Sequence, residues 1–337
     1  MRIKSTGVDI TKEESRDYLF DNVRAILITL VVWGHLLTSM IYDYSMIKSV
    51  YYFIFFFHMP AMTFISGYFS KDLERSRSKA FEGILMPYLI LNIINYIFKM
   101  LIIREDYFGF RFFTPTWGLW YLFTLFLWKF FLKDLVKIRF LLPFSFLLGI
   151  FSGFSREFSS TMALGRAICF FPFFLLGYYC TKEHLARIRR VPKLIPIIIL
   201  MITGVLAYVI VRMDLFETEV LYLKKPYPQD SELKYMGYRI LVYLIAIGMT
   251  VSIFILTSSK KSFLSKIGTS TMTVYILHLF TIPLLEKLRI LNNKPFSYII
   301  YSVFMTALIV FVYSRPFVKR VYDKFIDSLI RIIIRKV

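Results

Sequence analysis

The residues of this chain that could do chemistry are few, and they stand where polarity is costly. Only four histidines occur in 337 residues, and three of them, His35, His58 and His278, fall inside long apolar runs. An ionisable side chain inside a bilayer costs roughly 2.5–3.5 kcal/mol on insertion scales, so each needs a reason to be there. A neutral imidazole suits general-base work near pH 7. Asp21 and Arg24 are three apart, neighbours on a helix, so an ion pair between them would lower the cost of both. From Arg24 to His35 is eleven steps of about 100°, three full turns with a residual near 20°, which puts both on one helix face roughly 16 Å apart in height. That spacing suits a donor headgroup held near one membrane surface and chemistry performed deeper.

Each of these residues also has a plainer reading. Arg24 could snorkel to the interface, His35 or His278 could bond a nearby carbonyl, and His58 could donate to the carbonyl that Pro60 frees one turn back. The fourth histidine, His184, lies in a basic loop and is read as solvated. Arg166 opens an apolar run, where it could bind an acidic or hydroxyl-rich acceptor or anchor at lipid headgroups. Trp117, Trp120 and Tyr121 begin another run, as an aromatic belt would, with sugar stacking as the alternative. Arg75 and Arg77 could meet phosphates or serve topology alone. Cys169 and Cys180 are the only cysteines, so no disulfide framework is expected, and without a His-x-x-x-His spacing no metal site is expected either.

What must position these residues is a set of membrane helices. The chain is 57% hydrophobic and 19% aromatic, with a mean hydropathy of +0.61. Stretches such as Ala25 to Val32, Leu194 to Ile202 and Ile299 to Val312 are apolar on every helical face. Lipid permits only helices or closed barrels, and these runs lack the period-two alternation of barrel strands. About ten spans are expected, near 18–40, 48–70, 80–103, 116–132, 138–153, 163–180, 193–213, 236–257, 270–286 and 295–314, the fourth and fifth short. They form one membrane domain over 1–337, without linkers or repeats. The formal charge of +20 marks no nucleic-acid binder, because the basic residues punctuate apolar runs and form no stripe.

Those basic residues predict topology instead. Lys71, Arg75, Arg77 and Lys79, then Lys133 and Lys137, then Arg187, Arg189 and Arg190, then Lys260, Lys261 and Lys266 fall at alternate ends of the spans. The positive-inside rule therefore puts both termini in the cytoplasm. Residues 1–17 form a charged cytoplasmic segment with no signal-peptide cleavage pattern. The basic tail 315–337, with interleaved Ile and Val, is expected to lie along the anionic inner leaflet.

Over these same residues the sequence resembles the acyltransferase-3 family of integral membrane O-acyltransferases, closest to its fucose 4-O-acetylase-like branch. The matching segments run from Arg16-Asp17-Tyr18-Leu19-Phe20-Asp21-Asn22-Val23-Arg24 to Gly34-His35, and from Phe57-His58-Met59-Pro60 to Ser66-Gly67-Tyr68-Phe69-Ser70-Lys71. Leu119-Trp120-Tyr121-Leu122, Phe173-Phe174-Leu175-Leu176-Gly177-Tyr178 and Tyr275-Ile276-Leu277-His278 add weaker matches in family order. The resemblance implies a multi-pass plasma-membrane enzyme. It would move an acyl group, acetyl by family default, from acetyl-CoA or another acyl-CoA to a hydroxyl of a surface polysaccharide or lipid-linked sugar. No permanently bound cofactor is implied.

The resemblance also carries roles to particular residues. It makes Arg24 and His35 essential and puts Arg75 and Arg77 on the CoA side. Beside the resemblance, the residues themselves suggest a mechanism with His35 as base, Asp21 and Arg24 to place the donor, and His58 or His278 to hold the acceptor or stabilise the oxyanion, supported by Arg166, Trp120 and Tyr121. The rival reading is a transporter or flippase for a polysaccharide intermediate, its pathway lined by the same polar residues.

Overall fold

The computed structural model describes residues 17–104, 115–116, 118–156, 163–287 and 294–333. Trp117, Arg111, the segment 1–16 and the last four residues of the tail lie outside the described residues. Every regular element among the described residues is helical. They are α1 (Leu19–Leu37), α2 (Ser45–Phe55), α3 (His58–Tyr68), α4 (Leu73–Ala80), α5 (Met86–Phe98), α6 (Trp120–Leu135), α7 (Leu141–Phe151) and α8 (Leu164–Tyr179). There follow α9 (Lys182–Ile188), α10 (Leu194–Arg212), α11 (Thr218–Leu221), α12 (Glu232–Leu256), α13 (Phe263–Gly268), α14 (Thr271–Lys287), α15 (Pro295–Tyr313) and α16 (Pro316–Ile333).

Each of the ten expected spans is occupied by helix. Six helical stretches among the described residues are long and apolar enough to cross a membrane, or seven if α8 and α9, bent by 98°, count as one. Their outer faces are apolar: Leu194, Met201, Ile202 and Val205 of α10 and Phe296, Ile300 and Phe304 of α15 are all exposed. Such a surface needs lipid against it. The protein is a multi-pass helical membrane protein. At its C-terminal end α16 is strongly amphipathic, with Phe317, Val321 and Phe325 exposed and Arg320, Lys324 and Arg331 interleaved.

Side-chain contacts tie the helix ends into two groups. At the basic end, Arg77 of α4 meets Asp134 of α6 at 3.0 Å. There Arg189, just after α9, donates to the Phe254 and Thr257 carbonyls that end α12, at 2.6 and 2.8 Å. At the opposite end, Lys48 meets Asp214 at 3.7 Å and Tyr298 of α15 donates to the Leu36 carbonyl of α1 at 2.5 Å. In the same region Arg239, 5% exposed, donates to the carbonyls of Gly149 and Lys225 at 2.9 and 3.0 Å.

The tightest contact in the bundle joins α3 to α8. A Cβ on Gly67 would fall 1.8 Å from the Phe174 carbonyl oxygen, and one on Gly177 would fall 1.9 Å from that of Phe64. The two backbones touch through reciprocal glycines, as small residues allow where helices associate in lipid. Asn22 fixes α1 in a comparable way. Its amide donates to the Ser258 and Lys260 carbonyls at 2.7 and 3.0 Å and accepts from Ser262 and Ser265 at 2.8 and 2.7 Å. Beside it Gly268 lies so close that a Cβ would fall 1.9 Å from the Asp21 carbonyl oxygen.

The α2–α3 break differs from the sequence expectation in position. The chain leaves the helix at Phe56 and Phe57, and Pro60 falls in the first turn of α3, where an absent N–H removes no helical bond. His58 accordingly bonds the Ile54 carbonyl at the break, at 2.8 Å, and not a carbonyl freed by Pro60.

Gly67→Ala and Gly177→Ala should each destabilise the protein by about 3 kcal/mol or more, because backbone and not a flexible side chain must yield. Gly237→Ala, inside α12 with nothing within 4 Å, should leave the unfolding temperature in detergent unchanged or slightly raised. Thermal unfolding of the three variants checks this, and an unshifted Gly67→Ala would contradict the packing described.

Candidate active site

The site begins with one hydrogen bond across the bundle. His278 Nε2 lies 3.2 Å from His35 Nδ1, and His278 Nδ1 lies 3.1 Å from the Val274 carbonyl oxygen. A carbonyl only accepts, so His278 carries its proton on Nδ1 and presents a lone pair at Nε2. His35 must then donate from Nδ1. Its own Nε2 is left with a lone pair, the tautomer a general base requires. His58 follows the same rule: Nδ1 donates to Ile54, so Nε2 accepts. His278 and His58 are 0% and 2% exposed, and the Phe55 ring stands between His35, at 6.4 Å, and His58, at 4.6 Å.

His35 and His58 line a cavity of about 280 Å³ together with Trp120, Arg166, Tyr222, Lys224 and Tyr275. Arg166 lies 4.7 Å over the Trp120 ring. Gly118, at φ +84, shapes the wall. Only glycine adopts that backbone without strain, a Cβ there would fall 2.3 Å from Leu279, and the Tyr275 hydroxyl donates to its carbonyl. A second cavity of about 150 Å³ lies toward the basic end, lined by Arg24, Ser66 and Tyr121. The two share Val31, Met59 and Tyr275 as a common waist. Arg24, Ile28, Val31 and His35 thus form one face of α1 looking into both chambers, as their spacing predicts. Asp21 pairs with Arg24 at 3.7 Å, and Arg24 also lies 4.5 Å over Phe69.

The structure therefore separates the expected site residues. His35, His58, Arg166 and Trp120 meet around the first cavity, and His278 contacts His35 from behind its lining. Arg24 and Tyr121 meet in the second, with the Tyr121 hydroxyl 2.7 Å from Ser66 Oγ, and Asp21 stands behind Arg24. Trp120 and Tyr121 face these chambers and form no outward belt. The basic pair also divides. Arg77 pairs with Asp134 at 3.0 Å and stacks 4.9 Å over Phe130, which ties α4 to α6. Arg75 instead lines a third cavity of about 460 Å³ with Ser76, Lys79 and Lys129. Sequence reasoning gave no role to Lys224, Tyr275, Asn22 or Arg239, though Tyr275 and Asn22 stand within the matched segments. Arg239 stands inside an expected span, so its cost in lipid was the available signal.

Comparison with known proteins gives this constellation its class. A family model described as an acyltransferase domain, acyltransferase-3, matches residues 17–315. The chain belongs to this acyltransferase family. That membership favours acyl transfer over the transporter reading. The chain is also similar to the nodulation protein NolL of Mesorhizobium japonicum, 46% identical over 59 residues, or 17% of this chain and 16% of that protein. No solved structure matches the chain.

Arg77→Ala and Asp134→Ala should each lower the unfolding temperature and the double variant by less than their sum, because both remove the 3.0 Å pair while Arg77 also loses Phe130 and Asp134 its 3.1 Å contact with Lys137. Arg75→Ala should leave it unchanged. Additive losses, or an equal loss at Arg75, would overturn this division of the basic pair.

Proposed function

We propose that this acyltransferase moves an acyl group, acetyl by preference, from acyl-CoA to a hydroxyl of a cell-surface polysaccharide or lipid-linked sugar at the plasma membrane. The observation that carries the reading is the 3.2 Å contact between His278 Nε2 and His35 Nδ1, with His278 Nδ1 on a carbonyl, which assigns the proton of a neutral His35 to Nδ1 in a residue that lines the first cavity. In this reading all ten helical segments cross the bilayer, with both termini cytoplasmic. The alternation of side-chain contacts between the basic end and the opposite end supports that count.

The donor is taken from the basic, cytoplasmic end. Arg75, Lys79 and Lys129 supply cations for the phosphates of CoA, and Ser76 Oγ beside them is buried without a partner. Arg24, held by Asp21, steadies the pantetheine arm in the second cavity, and the thioester reaches the waist at Val31, Met59 and Tyr275. The acceptor lies in the first cavity with its hydroxyl at His35. Nε2 takes the hydroxyl proton as the oxygen attacks the thioester carbonyl carbon. The C–S bond then breaks, the ester is released, and the departing thiolate takes the proton back from the imidazolium. His278 accepts from Nδ1–H throughout and so favours the charge that His35 gains. His58, its Nδ1 engaged, accepts a hydrogen bond from a second hydroxyl of the acceptor. It is not a donor to the oxyanion.

Purified protein in detergent, given radiolabelled acetyl-CoA and cell-envelope glycan, should transfer label. His35→Ala should lower the rate a hundredfold or more, about the scale of general-base catalysis. Arg75→Ala should raise the KM for donor roughly tenfold with kcat little changed. Full transfer by His35→Ala would remove the base assigned here.

A further inference from the structure

The first cavity is lined by two cations and by no carboxylate among the described residues. Arg166 enters it from α8 and Lys224 from the loop after α11, both half-buried. The nearby carboxylates are engaged elsewhere: Asp214 with Lys48 at 3.7 Å and Glu219 with Lys225 at 3.0 Å. Arg166 has the Trp120 face and Lys224 the Tyr222 face, at 4.7 and 5.4 Å, and neither makes an ion pair among the described residues. Burial first, then the Arg166 guanidinium and Lys225, push the Lys224 ammonium below the usual lysine range, and Glu219 offsets them only in part. Two like charges held together out of bulk water repel each other, and an anion between them turns that cost into attraction.

We propose that the acceptor carries an anionic group, a carboxylate or a phosphate, which lies against Arg166 and Lys224 while the hydroxyl to be acylated lies at His35. This rests on the acyltransferase reading above and narrows its substrate class. A neutral glycan would leave both cations unpaired in the closed complex. An anionic one fixes its own register, because its charged group is drawn to Arg166 and Lys224 while its hydroxyl meets His35. The carboxylate would be that of a uronic-acid residue, and the phosphate that of a lipid-linked sugar pyrophosphate.

Binding to the full chain in detergent separates these cases without requiring turnover. The probes are a uronic-acid-terminated oligosaccharide, a neutral oligosaccharide of equal length and a short-chain lipid-linked sugar pyrophosphate. At least one anionic probe should bind ten times tighter than the neutral one, and rising salt should erode that advantage. Arg166→Gln and Lys224→Gln should each remove most of the advantage, and Arg166→Lys and Lys224→Arg should restore much of it in folded protein. The anionic probe that binds identifies the source of the charge. Equal binding of all three probes, or a preference that survives both glutamine variants, would overturn the proposal. If the neutral oligosaccharide is acylated at full rate by Arg166→Gln, the proposal fails and the acyltransferase reading stands. If the anionic probe binds and no donor yields transfer, the anion site stands and the proposed reaction fails.

Discussion

The hydrogen bond between His35 and His278 is the contact on which the rest of the site depends, because it decides where one proton sits. Val274 holds the proton of His278 on Nδ1, His278 in turn claims the proton of His35, and Nε2 of His35, a residue that lines the cavity, is left as its basic nitrogen. A free imidazole divides between two tautomers. Here a backbone carbonyl on α14 makes the choice, and a carbonyl inside a regular helix has little freedom to move. His58 obeys the same logic through the Ile54 carbonyl that the α2–α3 break exposes. The break is thus a device for orienting an imidazole as well as a bend.

A contact of this kind between α1 and α14 persists only if the helices are fixed to within a fraction of an ångström. Two features supply that. The four hydrogen bonds of Asn22 and the approach of Gly268 to the Asp21 carbonyl lock α1 to the segment that leads into α14. The reciprocal glycines 67 and 177 lock α3, which carries His58, to α8, which carries Arg166. In lipid there is little hydrophobic drive to hold helices together, so close backbone packing and buried polar contacts do that work. The cavities lie between these two rigid pairs.

How much of this was legible in the sequence follows from range. The Asp21–Arg24 pair and the shared face of Arg24 and His35 are consequences of helical periodicity, and the structure keeps both. The membrane class was plain in the apolar runs, and the helical segments fall where those runs are. The His35–His278 bond joins residues 243 positions apart, and no periodicity announces it. Position along a helix was legible where direction around it was not. Trp120 and Tyr121 were placed at a helix start, as a belt would be, but which way they face is set by α8 and α14. Arg75 and Arg77 look alike in sequence, and only the position of Asp134 on α6 separates a strut from a cavity-lining cation. Asn22 and Arg239 could have been singled out on cost alone, since each puts a polar side chain into an apolar run.

The central claim is the protonation pattern of His35, and nitrogen NMR reads it directly. Histidine-labelled protein in detergent at neutral pH contains four imidazoles, assignable by replacing each in turn. His35 should show a protonated Nδ1 and an unprotonated Nε2, and His278→Ala should abolish that preference while the other imidazoles keep theirs. A His35 protonated at Nε2, or one indifferent to the loss of His278, would contradict the account.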